Sequence, residues 1–280
     1  MEHVLNEEYI LTFREELRKL ERSQATIEKY IRDLNAFYSW LPKEKKVSKD
    51  CVMRYKAYLC EKYAPTSVNS MLAALRTFFR YMDWQECGVK LLKIQHRVFS
   101  RKERELSKKD YEQLVETADR RGDRRLSLLL QIMASTGIRV SEVQYITVEA
   151  AMQGRAEISL KGKVRVILLP GKLCRKLLKY AKREKITSGQ LILTRSGRPM
   201  NRKEIWAQMK KLCNAAGVEA QKVFPHNLRH LFARTFYRVQ RDVIQLADLL
   251  GHSSVNTTRI YLLTSGEEHL RHMERLGLVS

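Results

Sequence analysis

The sequence is poor in residues that interrupt helices and in residues that crosslink chains. Its 280 residues include only 12 Gly and 5 Pro, so long helices with few interruptions are expected. The cysteines number five, and no two of them have C-x-x-C spacing, which argues against a disulfide framework and a zinc site. Free thiols are typical of a reducing compartment, and we expect a cytoplasmic protein.

Long apolar runs and acidic residues are also scarce. We find no run of about 18 apolar residues, no signal-peptide core and no lipidation motif, so no membrane partner is expected. The 31 Asp and Glu residues face 53 Lys and Arg residues, which leaves a net charge of +22. An excess of that size indicates a polyanionic partner, and nucleic acid is a better candidate than an anionic membrane. A content of 44% hydrophobic residues still allows a substantial core.

Helical periodicity covers the first part of the chain. Apolar residues recur at helical spacing in four segments before residue 94. Ser23 and Ser48 are expected to cap the second and third segments, and Pro65 opens the fourth. Four short amphipathic helices predict a small helical domain over residues 1–94.

Residues 95–105, which read QHRVFSRKERE, break this pattern because they are charged and weakly periodic. We interpret them as a linker to a second domain over residues 106–280. Arg101 and Lys102 are candidates for contacts with a DNA backbone, and a solvated connector fits the same composition equally well.

The second part combines helices with one β-hairpin. Ser107 is expected to cap a helix, and the apolar helix after it should end at Gly137, which supplies a left-handed residue. Two β-rich runs, 156–160 and 164–169, predict a hairpin. Further helices are predicted over 172–182, 202–215, 225–239, 243–250 and 255–263, and from 267 onward. The predicted fold class is mainly α with a small β-hairpin (α+β), in two domains.

The first motif of chemical interest is F-P-H-N-L-R-H at residues 224–230. Pro225 fits the first position of a helix, which places His226 and Arg229 on one face of the first turn. Free N–H groups and the positive end of the helix dipole favour a phosphate there. On its own, however, H-x-x-R more often has a capping or packing role.

The second motif is T-G-I-R-V-S-E at residues 136–142. Arg139 follows a tight turn that can hold it rigidly, and Glu142 is spaced to pair with its guanidinium. An isolated R-x-x-E is more often a surface ion pair.

The third motif is the hairpin tip, K-G-K-V-R at residues 161–165. A lysine on a β-turn can reach into a site and donate a proton to a departing oxygen. The alternative is a basic hairpin that only touches phosphates.

The fourth motif is L-G-H-S-S-V-N-T-T-R-I-Y at residues 250–261. His252 precedes a helix, and Tyr261 falls near the end of that helix. A tyrosine at helical spacing is usually a half-buried packing residue, and it becomes a nucleophile only if basic groups stabilise its phenolate.

Each motif is weak alone, but T-G-I-R-x-S-E, a hairpin lysine, H-x-L-R-H and L-G-H-S-S-x-x-T-T-x-x-Y occur in the order and spacing of one family. The chain resembles the tyrosine recombinases, also called the phage-integrase family. The resemblance covers most of the chain, with a helical core-binding domain, a linker and a catalytic domain. It implies a site-specific recombinase that cuts and rejoins DNA through a 3′-phosphotyrosine intermediate.

The resemblance also assigns roles to individual residues. Tyr261 matches the nucleophile, and Arg139 and Arg229 match the two arginines that clamp the phosphate oxygens. Glu142 matches an acidic position that supports the first arginine.

The proton-transfer positions follow from the same resemblance. His226 matches the histidine that accepts or positions the tyrosine proton, and His252 matches a residue that hydrogen-bonds the phosphate. Lys161 matches the lysine that protonates the leaving 5′ oxygen. Leu160 replaces the glycine of the usual G-K-G, so Lys163 is an alternative acid. If Lys161 is the acid, as we prefer, then Lys163 and Arg165 match the basic pair that follows this lysine in the family. Both are candidates for contacts with the DNA backbone.

Transesterification conserves the phosphodiester energy, so the resemblance implies no cofactor and no metal. The implied partner is double-stranded DNA that carries specific sites, bound by a homotetramer on paired sites, with monomers or weak dimers in solution. A tail after Tyr261 would exchange between subunits.

Without the arm-binding domain of large integrases, the chain resembles compact Xer-like or mobile-element recombinases. Two biological roles fit this resemblance: integration or excision of a mobile element, and resolution of DNA dimers. The alternatives are a type IB topoisomerase-like activity and a non-catalytic DNA-binding protein.

Overall fold

Two units form along the chain in the computed structural model, Met1–His96 and Arg97–Ser280. The structure describes residues 2–94, 105–160, 163–194, 196–252, 254–259 and 261. Most of the predicted linker, the turn that holds Lys161, and the tail with its predicted helix from residue 267 therefore lie outside the described residues. In the part that the structure describes, no helix combines the length and the apolar character needed to cross a membrane.

The first unit consists of four helices and a pair of two-residue strands. The helices are α1 (Glu7–Lys19), α2 (Gln24–Trp40), α3 (Lys49–Lys62) and α4 (Pro65–Tyr81), and the strands are β1 (His3–Val4) and β2 (Lys46–Val47). The predicted caps are confirmed, since Ser23 Oγ accepts from the Thr26 N–H and Ser48 Oγ from the Cys51 N–H. Each helix turns an apolar face inward, and Leu17, Leu34 and Phe78 are fully buried there.

The second unit surrounds a larger apolar core with eight helices and one hairpin among its described residues. They are α5 (Lys108–Arg120), α6 (Arg124–Thr136), α7 (Val148–Gln153), β3 (Arg155–Leu160), β4 (Lys163–Leu168), α8 (Gly171–Arg183), α9 (Arg202–Ala216), α10 (Pro225–Gln240), α11 (Val243–Leu250) and α12 (Val255–Arg259). A capping box between Ser107 and Asp110 begins α5. Gly137 ends α6 in the left-handed conformation, as predicted. The predicted fold class is confirmed.

The predicted hairpin forms between β3 and β4. The two strands are antiparallel, and their described pairs run from Arg155 with Leu168 to Leu160 with Lys163. The strand β4 begins at Lys163, one residue before the predicted start at residue 164.

The described part of α12 is Val255–Arg259. It agrees with the start of the helix predicted over 255–263, and of the remaining four residues only Tyr261 is among the described ones. The Tyr261 side chain is buried.

Candidate active site

Arg229 is the centre of the site. It lies in the first turn of α10, after Pro225 at the start of that helix, and is only 1% exposed. Its guanidinium donates to the Gly137 carbonyl at 2.6 Å and to the Leu250 carbonyl at 2.8 Å. These carbonyls belong to the C-terminal ends of α6 and α11, where the helix dipoles are negative. Its Nε is buried and has no hydrogen-bond partner among the described residues, which leaves one donor for an incoming acceptor.

Gly137 lets α6 approach α10 closely. Its φ is +65°, and a Cβ atom here would lie 2.4 Å from Cδ1 of Phe232. Only glycine tolerates both the left-handed backbone and this contact. The close approach brings the residues after α6 beside Arg229.

Arg139 and Glu142 form the predicted pair. The Arg139 N–H donates to Glu142 Oε2 at 2.8 Å, and its Nη1 donates to Oε1 at 3.0 Å. Glu142 is buried, whereas the Arg139 side chain is 43% exposed. A buried carboxylate thus fixes the direction of a guanidinium that remains accessible.

Arg165 occupies a different place from the one predicted. The sequence suggested a contact with a DNA backbone, but the side chain is only 12% exposed and lies 3.2 Å from Glu142 Oε2. Its Nη1 also donates to the Leu250 carbonyl. Burial lowers the pKa of Arg165 to about 10, which still leaves it charged at neutral pH. A guanidinium held in this way points into the protein, and a contact between Arg165 and a DNA backbone stays a prediction.

Tyr261 packs among histidines. Its side chain is 6% exposed, its hydroxyl lies 3.4 Å from His226 Nε2, and its ring centroid lies 4.3 Å from that of His230. The ring is nearly parallel to His252, with 5.4 Å between centroids. The Arg229 Cζ lies 5.9 Å from the centre of the tyrosine ring. Five of the six predicted catalytic residues therefore lie in one cluster, and Lys161 falls outside the described residues, as do Arg101 and Lys102.

All three histidines of the cluster are disfavoured as cations. Desolvation lowers the pKa of His230 to about 3 and that of His252 to about 4, and the charge of Arg229 acts in the same direction. The same two causes lower the pKa of His226. Neutral imidazoles at pH 7 have a free lone pair, so His226 can accept a proton.

The tautomer of His252 follows from its partners. Arg229 Nη2 lies 2.7 Å from His252 Nε2, and a guanidinium has no lone pair to offer, so Nε2 accepts. The proton therefore resides on Nδ1, which donates to Thr258 Oγ1 at 2.8 Å. Thr258 is fully buried. Thr258 is not among the predicted site residues, although the T-T pair between His252 and Tyr261 is a signal for it in the sequence.

The buried histidines make stability depend on pH. An unfolded His230 titrates near 6.5, whereas the folded residue stays neutral down to about pH 3, so the unfolded chain binds more protons in between. Above pH 6.5, burial of His230 should therefore cost the folded state nothing in protonation. Below pH 6.5, we expect the free energy of unfolding to decrease as the pH falls, by up to about 1.4 kcal/mol per pH unit from this residue.

This expectation can be checked by urea unfolding at pH 7.5, 6.0 and 5.0, with hydrogen exchange of amides in the second unit as the readout. His230→Gln removes the titrating group, so its unfolding free energy should decline less steeply than that of the wild type. Parallel pH profiles for the two proteins would contradict the account.

A cavity of about 900 Å³ opens beside the cluster. Arg139, His226 and Arg229 line it, together with Arg202 and the half-exposed Trp206 of α9. These two α9 residues are not among the predicted site residues, because an exposed tryptophan on an amphipathic helix has no sequence pattern that marks it as part of a site. The lining is basic with an apolar side, which suits a phosphate joined to a flat ring system.

A possible metal-ligand group lies elsewhere, in the first unit. His3, Glu86 and Cys87 have potential ligand atoms within 4.8 Å of one another, and they are the one group of this kind in the described part of the chain. His3 Nε2 and Glu86 Oε1 already bind each other at 2.6 Å, and Cys87 is buried. These contacts account for the group without a metal.

Two family models match the chain. The model described as phage integrase family matches residues 104–267, and the one described as phage integrase, N-terminal SAM-like domain, matches residues 10–86. The first alone covers more than half of the chain.

Individual proteins agree with this match. The tyrosine recombinase XerD of Vibrio cholerae serotype O1 is 26% identical over 258 residues, which cover 85% of each protein. Among solved structures, XerH bound to its difH substrate before cleavage has a TM-score of 0.69 at 18% identity, over the full length of both chains. A lambda integrase tetramer on a Holliday junction has a TM-score of 0.73 at 17% identity, covering 91% of this chain and 76% of that one.

Proposed function

Because the chain belongs to the phage integrase family and is a site-specific tyrosine recombinase, we propose that it cuts and rejoins DNA with Tyr261 as its nucleophile. The observation that carries this proposal is the position of the Tyr261 hydroxyl, 3.4 Å from His226 Nε2. The tyrosine ring also borders a buried arginine that has a donor to spare. The similar proteins named above are recombinases and integrases, which favours this activity over a topoisomerase or a non-catalytic protein.

The proposed reaction is a transesterification. The phenolic oxygen of Tyr261 attacks a phosphodiester phosphorus and forms a phosphotyrosine bond to the 3′ side, while the bond to the 5′ oxygen breaks. Negative charge grows on the non-bridging oxygens, and the free Nε of Arg229 and the exposed guanidinium of Arg139 are the donors proposed to bind them. Rejoining is the reverse attack by a 5′ hydroxyl, so the bond energy is retained and no ATP is needed.

Two protons move in this reaction. The tyrosine proton passes to His226 Nε2, which is available because burial and Arg229 lower the pKa of this histidine. The 5′ oxygen takes a proton from Lys161, the preferred general acid, with Lys163 as the alternative. His252 is proposed to hydrogen-bond the phosphate once that phosphate competes for Arg229. This requires the other neutral tautomer, in which Nε2 carries the proton and donates to the phosphate while Nδ1 accepts from the Thr258 hydroxyl.

Thr258→Val tests the support of His252. Valine keeps the shape of threonine but leaves the His252 Nδ1–H without its acceptor. A loss of about 1 kcal/mol should slow single-turnover cleavage roughly fivefold. Thr257→Val is the matched control, because Thr257 is exposed, and it should cleave at the wild-type rate. Equal rates for the two variants would remove Thr258 from the account.

The proposed assembly is a homotetramer on two paired DNA sites, formed from monomers or weak dimers. The lambda integrase tetramer on a Holliday junction, which has the same fold, supports this proposal. Integration or excision of a mobile element and resolution of DNA dimers fit the chemistry equally well. A cytoplasmic location, which rests on the free cysteines, stays a prediction.

Covalent trapping on DNA tests the proposed function. Duplexes selected by the protein from a random library are resynthesised with a nick close to the cleavage site, so that the released 5′ fragment diffuses away. With EDTA present and ATP omitted, we expect a protein–DNA band that survives denaturing electrophoresis. If the protein binds these duplexes but never forms the band, the nucleophilic mechanism is wrong.

A further inference from the structure

Of the three arginines in the described cluster, Arg139, Arg165 and Arg229, only Arg165 has no role in the proposed reaction. It shares an acceptor with each of the two arginines proposed to bind phosphate. Its Nη1 and the Nη2 of Arg229 both donate to the Leu250 carbonyl. Its Nη2 and the Nη1 of Arg139 both face the carboxylate of Glu142. Arg165 therefore links β4, the 3₁₀ turn after α6 and the end of α11.

The turn after α11 is shaped around this side chain. Gly251 has a φ of +62°, and a Cβ atom there would lie 2.5 Å from Arg165 Cδ and 2.6 Å from its Nη1. The glycine thus provides both a left-handed backbone and space for the guanidinium. The Gly251 carbonyl in turn accepts from Arg139 Nη2 at 3.4 Å, and His252 follows directly.

We propose that Arg165 is a positioning residue, which holds the turn at 250–252 and the Glu142 carboxylate so that Arg229, Arg139 and His252 face one phosphate. This inference rests on the proposed function and deepens it. Arg165 does not contact the DNA backbone in this account, because its side chain is only 12% exposed and its Nη1 donates to the Leu250 carbonyl. Glu142 is the buried counter-charge that makes the close approach of two arginines tolerable.

The arrangement also has an electrostatic consequence. The charged and titratable groups that face His252 are Arg229, Arg139, Arg165, His226 and Tyr261, and the three arginines all disfavour its cation. Removing one of them should raise the pKa of His252 above its value of about 4. An NMR titration of the His252 ring therefore reports on the position of Arg165 independently of activity.

Arg165→Gln separates positioning from a backbone contact. We expect cleavage of a saturating nicked duplex to slow about a hundredfold, as a misplaced catalytic group does, and the pKa of His252 to rise. The salt dependence of DNA binding should stay unchanged, whereas loss of a phosphate contact would reduce its slope by about 0.9. Arg155→Gln is the matched control: Arg155 is exposed on the neighbouring strand, and its variant should cleave at the wild-type rate.

A double-mutant cycle tests whether Gly251 acts through Arg165. Gly251→Ala alone should slow cleavage strongly, because the new methyl group displaces the guanidinium. In an Arg165→Ala background the same change should cost much less, since the Cδ, Nε and Nη1 atoms that crowd the new methyl group are gone. Fully additive effects, or an Arg165→Gln variant with normal cleavage and a reduced salt slope, would overturn the inference. If the wild type forms no covalent complex at all, the proposed function fails instead.

Discussion

Tyr261→Phe should form no covalent complex with nicked DNA, while it binds the same duplex nearly as well as the wild type. The change removes only the phenolic oxygen, so the ring contacts with His230 and His252 remain and the fold is retained. Without that oxygen, no other group of the described cluster is placed beside His226 as a nucleophile. Denaturing electrophoresis of the trapped complex measures the effect.

Tyr237→Phe is the control for this experiment. Tyr237 packs against the same small apolar cluster as Tyr261 but makes no contact with the histidines in the described structure, so its variant should cleave normally. Covalent complex in the Tyr261→Phe protein at a rate near the wild type would rule out the assigned nucleophile.

Arg229→Lys should slow cleavage by about two to three powers of ten, the usual cost of losing a donor to a developing anion. Lysine keeps the positive charge, but one ammonium group cannot bind the Gly137 and Leu250 carbonyls, His252 and a phosphate together. The loss should appear in the rate of single-turnover cleavage at saturating DNA, since the phosphate charge grows most in the transition state.

Arg234→Lys is the matched control on the same helix. Arg234 pairs with Glu105 and donates to the Leu106 carbonyl, away from the proposed phosphate site. Its variant should retain most of the wild-type rate. A cleavage rate within a few fold of the wild type for Arg229→Lys would show that charge alone suffices and that the fork geometry is irrelevant.

The local parts of this fold were predictable because they depend on neighbouring residues. The N-caps Ser23 and Ser48, Pro65 at the start of α4 and Gly137 at the end of α6 act within one turn of the chain. The pairing of Arg139 with Glu142 is similarly local, at a separation of three residues.

The remaining features depend on contacts between distant segments. Arg165 turns inward because a backbone carbonyl 85 residues away and the carboxylate of Glu142 meet at its guanidinium, and a backbone acceptor has no sequence signal. The burial of Tyr261 depends on the histidines of α10 that contact its ring. Grouping Tyr261 with Arg229 came from the family resemblance, since periodicity relates only residues on one helix.

The site concentrates positive charge with little compensation. Arg139, Arg165 and Arg229 surround one buried carboxylate, Glu142, and two helix ends supply partial negative charge. Burial is the main cause of the lowered histidine pKa values, and this excess of positive charge acts in the same direction. The charge that would attract a phosphodiester therefore also helps to keep His226 neutral.

Mass spectrometry of the DNA-linked peptide tests the central claim most directly. The complex trapped on nicked DNA is digested with protease and nuclease, and the peptide that retains a nucleotide is sequenced. The account predicts a phosphodiester-linked residue at Tyr261 and none in the Tyr261→Phe protein. A nucleotide attached to any other residue of the wild-type chain would contradict it.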